Sequence, residues 1–171
     1  EHCSMRVWLP HDPDRLPEPK EPTIAYRSRV QASFWNKGQR NLSLQAVKDQ
    51  VVPASSGDKG VPWFHWWPHK GGTEWVQYEF RKPATVSAVE VYWADDTGDG
   101  ECRVPESWRL LYRSDEGWKE VPDPDGYGTA KDRFNRTDFE PVKTDGLRIE
   151  ADLRDDYSGG VLEWRVHPAE E

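Results

Sequence analysis

No stretch of this 171-residue chain approaches the roughly 18 consecutive apolar residues of a membrane-spanning helix, and none forms the apolar centre of a signal peptide. Cations are also scarce: 23 Lys and Arg face 31 Asp and Glu, a formal net charge of −8. That field repels phosphate backbones and anionic lipid, so neither nucleic acid nor a membrane is an expected partner. Cysteine is limited to Cys3 and Cys102, enough for one disulfide whose formation the sequence leaves open and too few to fix a redox compartment. No segment keeps a helical repeat over eleven residues, and no repeat of fixed period suggests a propeller or solenoid. G-x-S-x-G, P-loop, dinucleotide and H-E-x-x-H signatures are missing. The chain begins at Glu1 instead of Met, so a mature or excised segment of something longer is expected.

Apolar residues make up only 35% and charged residues 32%, which taken alone would suggest disorder. Ten Trp, six Tyr and five Phe reverse that reading. Each large ring buries about 150–250 Å², so a few of them build a core. The length suits one domain with an appended arm. Residues 1–22 carry Pro10, Pro13, Pro17, Pro19 and Pro22 among charges, which favours an extended strap or linker from a preceding domain. Residues 23–171 are expected to form the domain itself.

Alternation of period two recurs through that domain: Val30-Ala32-Phe34, Leu42-Leu44-Ala46, Val76-Tyr78-Phe80, Val89-Val91-Trp93, Trp108-Leu110-Tyr112, Leu147-Ile149-Ala151-Leu153 and Leu162-Trp164-Val166. Gly- and Asp-rich turn clusters separate the runs. About eight half-buried antiparallel strands imply an all-β sandwich, because one face of each must be covered by a second sheet.

Two spans do not alternate, Asp49 to Gly72 and Ala94 to Pro105, and loops held by a rigid scaffold are where binding residues concentrate. The first holds Trp63-Phe64-His65-Trp66-Trp67-Pro68-His69. Indole faces stack on the C–H patches of sugars, and imidazoles pair with hydroxyls. Core burial competes with that role: at least two of Trp63, Trp66 and Trp67 are expected to be buried, since three exposed indoles would make an apolar patch that soluble proteins rarely tolerate. The second span gathers Asp95, Asp96, Asp99, Glu101 and Arg103, a lining suited to a polyol or, equally, a solvated acidic hairpin. Asp99 and Glu101 individually fit the solvated alternative better.

The succession SLQAVKDQVVPASSGDKG, GGTEWVQYEFRKPATVSAVEVYW, RVPESWRLLY, LRIEADL and GGVLEWRV resembles the discoidin or coagulation-factor type C superfamily of galactose-binding-like jelly rolls over residues 24–166. It is most similar to accessory modules of bacterial β-L-arabinofuranosidase-type glycoside hydrolases. The resemblance implies a jelly roll, a non-catalytic carbohydrate-binding role and a structural calcium ion where an early loop meets the last strand. The residues matching the family's calcium ligands are Asp49, Ser55 or Ser56, and Glu163. Oxygen ligands of this kind are what calcium takes. Independently, alternation sets Glu163 on the face opposite Leu162, Trp164 and Val166, in a strand where a lone carboxylate needs a partner: a metal, or an Arg or Lys. The sequence departs from the family at Gln50, where Gly is usual and a positive φ is expected.

These readings converge on a carbohydrate-binding module of a larger extracellular or periplasmic glycoside hydrolase, a monomer whose partners are an oligo- or polysaccharide and its parent's catalytic domain. In the expected site Trp63 or Trp66 is the stacking platform, His65 and His69 are donors, Asp95 and Asp96 acceptors and Arg103 a bidentate clamp. Tyr127 and Tyr157 form side walls. Two other readings stay open: a structural accessory domain that packs on the catalytic domain and binds no glycan, and a small glycosidase built on the loop carboxylates.

Overall fold

Two strands longer than any expected from the alternation organise the molecule. The structure is a computed structural model that describes residues 19–35 and 42–170. In chain order its elements are α1 (Ile24–Arg27), β1 (Arg29–Ala32), a 3-10 helix (Leu44–Lys48), β2 (Phe64–His65), β3 (Thr73–Ala94), β4 (Ser107–Ser114), β5 (Gly117–Glu120), β6 (Phe134–Asp152) and β7 (Gly160–Pro168). All pairings between these strands are antiparallel.

β3 and β6 pair along nearly their whole length, with Thr73 opposite Asp152 at one end and Tyr92 opposite Phe134 at the other. Their register breaks between Glu79 and Ala84, around Pro83, which has no N–H to give a ladder. At that break the strand pair turns a corner and passes from one layer to the other. The first layer is β1, the start of β3, the end of β6, β4 and β5; the second is β2, β7, the end of β3 and the start of β6. Val76, Tyr78, Leu110, Leu147 and Ile149 from the first meet Val89, Val91, Trp93, Val161 and Trp164 from the second, all wholly buried in one cluster. At about 25 cal/mol per Å², each buried indole contributes on the order of 5 kcal/mol of gross stabilisation. The expected antiparallel β-sandwich is what the chain forms.

Three local expectations are corrected. Leu42-Leu44-Ala46 is not a strand: Ser43 caps a 3-10 helix by accepting from the Gln45 N–H at 3.1 Å, and Leu44, Ala46 and Val47 all turn inward. Leu162 does not share a face with Trp164. It is skipped between the Tyr92–Glu163 and Trp93–Val161 pairs, a bulge that sends it to a second small cluster with Tyr92 and Ala94. Strand count is seven, because two pairs of expected or unrecognised strands fuse into β3 and β6. Residues 1–18 of the proline-rich arm, and Cys3, lie outside the described residues. Cys102 is buried, and that burial pushes its thiol up to about 12.

Candidate functional site

The two non-alternating spans meet at one end of the sandwich, where the Asp95 N–H donates to Ser56 O at 2.9 Å. Between them opens a hollow of about 310 Å³ lined by Trp63, His65, Trp67, Asp96, Glu101 and the backbone around Gly100 and Cys102. Its aromatic wall follows from a short alternation. Phe64 and Trp66 are buried in the core, so Trp63, His65 and Trp67, every second residue, face the other way.

The polar groups are held in place. His65 Nδ1 accepts the Trp67 N–H at 3.1 Å, which leaves Nε2 as the protonated nitrogen. Burial is the main influence on this ring and lowers its pKa, against a smaller opposing pull from Asp96. Trp63 meets the same imidazole edge-on, with centroids 4.7 Å apart. Glu101 grips both sides of the rim: Oε2 accepts from Trp67 Nε1 at 3.0 Å and Oε1 from Lys70 Nζ at 2.6 Å. Lys70 and then Trp67 hold the Glu101 carboxyl below its ordinary pKa. Asp96 Oδ1 accepts the Cys102 N–H at 2.8 Å, and Arg103 lies 3.5 Å from it; Oδ2 has no hydrogen-bond partner among the described residues. A Cβ on Gly100 would stand 2.1 Å from that Oδ2, so only glycine lets the Asp96 carboxyl rest there.

Not all the expected site residues come together. Trp63, His65 and Asp96 line the hollow. Trp66 cannot be a stacking platform: it is 0% exposed, sealed edge-on against Phe64. It is also the only one of the three loop indoles that is fully buried, since Trp63 and Trp67 stand half-buried with polar groups between them. Asp95 is not a free acceptor, because its carboxylate is filled by Thr97, the Val104 N–H and Lys131. Burial works to raise its pKa, but those bonds outweigh it and hold the group below the usual range. His69 is away from the hollow, stacked on Phe34 with Nδ1 2.5 Å from Glu74 Oε1. Arg103 does not act as a fork into the hollow: Nη1 donates to Gly100 O and Cys102 O, and the guanidinium covers the Tyr157 ring at 4.4 Å. Tyr157, 37% exposed beneath that guanidinium, is outside the hollow's lining and forms no side wall of it. Tyr127 packs on Trp108 and hydrogen-bonds Glu120, outside the hollow's lining. Trp67 and Glu101 are the lining residues that sequence reasoning missed. The signal for Trp67 was the alternation with Phe64 and Trp66; nothing local marks Glu101, which is recruited across the gap by Trp67 and Lys70.

A second polar constellation lies where the 3-10 helix meets β7. The Asp49 and Glu163 carboxyls share a hydrogen bond, and the Gln50 N–H donates to Glu163 Oε2 at 3.2 Å. Burial, then the neighbouring Asp49, pushes Glu163 up to about 9, and burial raises Asp49 to about 6. Gln50 adopts φ 64°, the left-handed conformation for which glycine is usual, at a cost of about 1 kcal/mol. Its Oε1 is buried with no partner in the structure. The two carboxyls, from the expected ligand set, are hard donors of the type calcium takes, and the orphaned Gln50 oxygen, outside that set, is another. Ser56 is engaged elsewhere, its Oγ accepting the Asp132 N–H at 2.8 Å, and Ser55 has no contact with the pair among the described residues. No Arg or Lys forms a salt bridge with Glu163 among the described residues; the nearest-acting cation, Arg165, pairs with Glu90 at 3.7 Å.

Comparison with known proteins matches the architecture. A chain of the Streptococcus pneumoniae beta-galactosidase BgaA superposes with a TM-score of 0.69 at 15% identity, covering 91% of this chain and 97% of that one. The Clostridium perfringens module CpGH89CBM32-5, solved in complex with GalNAc-beta-1,3-galactose, gives 0.64 at 11% identity over 84% of this chain and 97% of its own. The lectin domain of lectinolysin, complexed with Lewis B antigen, gives 0.64 at 16% identity over 88% of this chain and 99% of its own. The model of the F5/8 type C domain matches residues 32–164, most of the 171-residue chain. With its jelly-roll sandwich and that match, the chain belongs to the F5/8 type C domain family.

Proposed function

We propose that this chain is a non-catalytic carbohydrate-binding module and that its saccharide site is the hollow between the two loops. The observation that carries the reading is the pairing of two half-buried indoles, Trp63 and Trp67, with a preset imidazole donor on His65 and an unfilled carboxylate oxygen on Asp96. A sugar ring laid against the indoles would give its hydroxyls to these two groups. Neutral galactose-containing oligosaccharides are the ligand class we assign, supported by the ligands bound in the Clostridium module and in the lectinolysin lectin domain. Affinity is weak, because each hydrogen bond in a shallow site contributes only about 0.5–1.5 kcal/mol net.

The carboxylates argue for binding without turnover. A glycosidase holds one acid protonated across roughly 5–9.5 Å from its partner. In the hollow the Glu101 pKa is lowered and both its oxygens are taken. The raised carboxyls, Asp49 and Glu163, are hydrogen-bonded to each other, too close to flank a glycosidic bond. We further propose that this pair, with Gln50 Oε1 and backbone carbonyls, holds a structural calcium ion that ties the early loop to β7. The parent is proposed to be a glycoside hydrolase acting outside the cytoplasm, with the module monomeric.

Calorimetric titration with GalNAc-beta-1,3-galactose and Lewis B tests the site. Trp67→Ala is expected to weaken binding at least about tenfold while leaving the thermal midpoint nearly unchanged, since the ring is half-buried. Unchanged binding in a folded Trp63→Ala, Trp67→Ala double variant would remove the hollow as the site.

A further inference from the structure

At the corner of the sandwich, where β1 begins beside the bend of β3, a separate hollow of about 470 Å³ is lined by Tyr26, Arg27, Arg29, Lys48, Glu79 and Arg81, among others. Four cations and one carboxylate share it in a protein whose net charge is −8. Arg103, Arg109, Arg113, Arg136, Arg148 and Arg165 each have a carboxylate within 4 Å. Arg27, Arg29 and Arg81 have no ion pair or hydrogen bond from their side chains among the described residues. Glu79 does not fill the gap. It faces Arg29 across the β1–β3 ladder, yet its Oε1 lies 3.6 Å from Arg113.

Lys48 makes the clustering more costly. It is buried at the end of the 3-10 helix, and its Nζ donates to the carbonyls of Tyr26, at 3.1 Å, and Ser28. Like charges brought together without a counter-charge repel, and an anion in the hollow relieves all four at once. Guanidinium offers a planar fork of donors that matches carboxylate or sulfate oxygens in pairs, so three arginines lining one hollow suit a ligand with more than one such group.

We propose that this corner hollow is a second binding site, for an acidic saccharide carrying carboxylate or sulfate-ester groups. That its ligand is anionic follows from the cations; that it is a saccharide rests on the function proposed above. The site is separate from the aromatic hollow, with which it shares no lining residue.

The test is titration of the folded chain with an oligogalacturonate at about 20 mM salt and again at roughly 0.3 M, where the Debye length falls several-fold. The wild type is expected to bind at low salt and to lose at least about tenfold in affinity at the higher. An Arg27→Ala, Arg29→Ala, Arg81→Ala variant is expected to lose as much at low salt. All three side chains are exposed, so its thermal midpoint serves as the folding control. Inorganic sulfate competes, and Trp67→Ala leaves uronate binding in place. Absence of uronate binding to the wild type, its persistence in the triple-arginine variant, its loss in Trp67→Ala, or capture by phosphatidylserine vesicles without uronate binding overturns the proposal. Should the neutral disaccharide fail to bind while uronate binding vanishes only with the arginines, the aromatic site falls and this one stands.

Discussion

In the aromatic hollow most charged atoms already have a protein partner: Glu101 is held by Trp67 and Lys70, and Asp96 Oδ1 by the Cys102 N–H. In the corner hollow three arginines line the wall with no such partner among the described residues. The first arrangement sets geometry before a ligand arrives, so little ordering remains to be done on binding. The second stores unneutralised charge, which attracts from a distance but weakens with salt. If both proposals hold, one chain carries two ways of meeting a ligand, one by shape and fixed donors, the other by field.

Removing the support beneath the first hollow gives the largest effect that separates them. Trp66→Ala empties a sealed core position directly behind the aromatic wall and is expected to cost about 3–5 kcal/mol of unfolding free energy, read by chemical denaturation. Below its lowered midpoint the variant should still bind uronate. A stability loss no greater than that of Trp67→Ala would erase the distinction between the inner and outer indoles. Calcium comes next, because its proposed ligand Asp49 follows Lys48 of the corner hollow directly. An ion at a hundred times its dissociation constant adds about 2.7 kcal/mol, so chelation is expected to lower the thermal midpoint by about 5–10 °C. Glu163→Gln should abolish that response. If chelation leaves the midpoint in place, the ion is not part of this structure.

The smallest effect is one of pH and should touch the aromatic hollow alone. The His65 pKa is lowered, chiefly by burial. Its contribution to stability is therefore present above about 6.5, the ordinary histidine value, and is lost as pH falls through the lower folded value. Protonation also removes the Nδ1 acceptor that the Trp67 N–H uses. Binding of the neutral disaccharide is expected to weaken by less than about tenfold between pH 7 and pH 5, and His65→Gln should flatten that slope. A fall of the same size in uronate binding would show that the effect is not confined to this imidazole.

The alternation of Val76-Tyr78-Phe80 and Val89-Val91-Trp93 was enough to name a sandwich, because large apolar side chains mark the inward face. The start of β6 was invisible to the same reasoning. Its inward positions include Asn135 and Thr137, polar residues made tolerable by bonds to backbone groups, Asn135 Nδ2 to Ala130 O at 2.9 Å and Thr137 Oγ1 to Gly126 O at 2.7 Å. Gln50 shows the reverse: a position where the family's usual glycine predicts a positive φ keeps it without glycine. In the candidate site the residue types were readable but not their directions. Asp95 and Asp96 are neighbours with the same side chain, yet one is filled by Lys131 and Thr97 while the other faces the hollow. Part of that difference comes from Lys131, thirty-six positions from Asp95, which no local pattern contains. The corner hollow was hidden for a related reason, since Arg27, Arg29, Lys48 and Arg81 come from three separate stretches.

β3 and β6 each run as one strand through both layers of the sandwich, although the ladder between them breaks at Glu79/Ala84 and again at Val86/Ala88. In the proposed role, a pull from a bound polymer that enters at β7 is handed to β3, its ladder neighbour, and along it to both layers. The two layers are thus joined covalently twice, through β3 and through β6, and neither moves far without bending one of those strands at the corner.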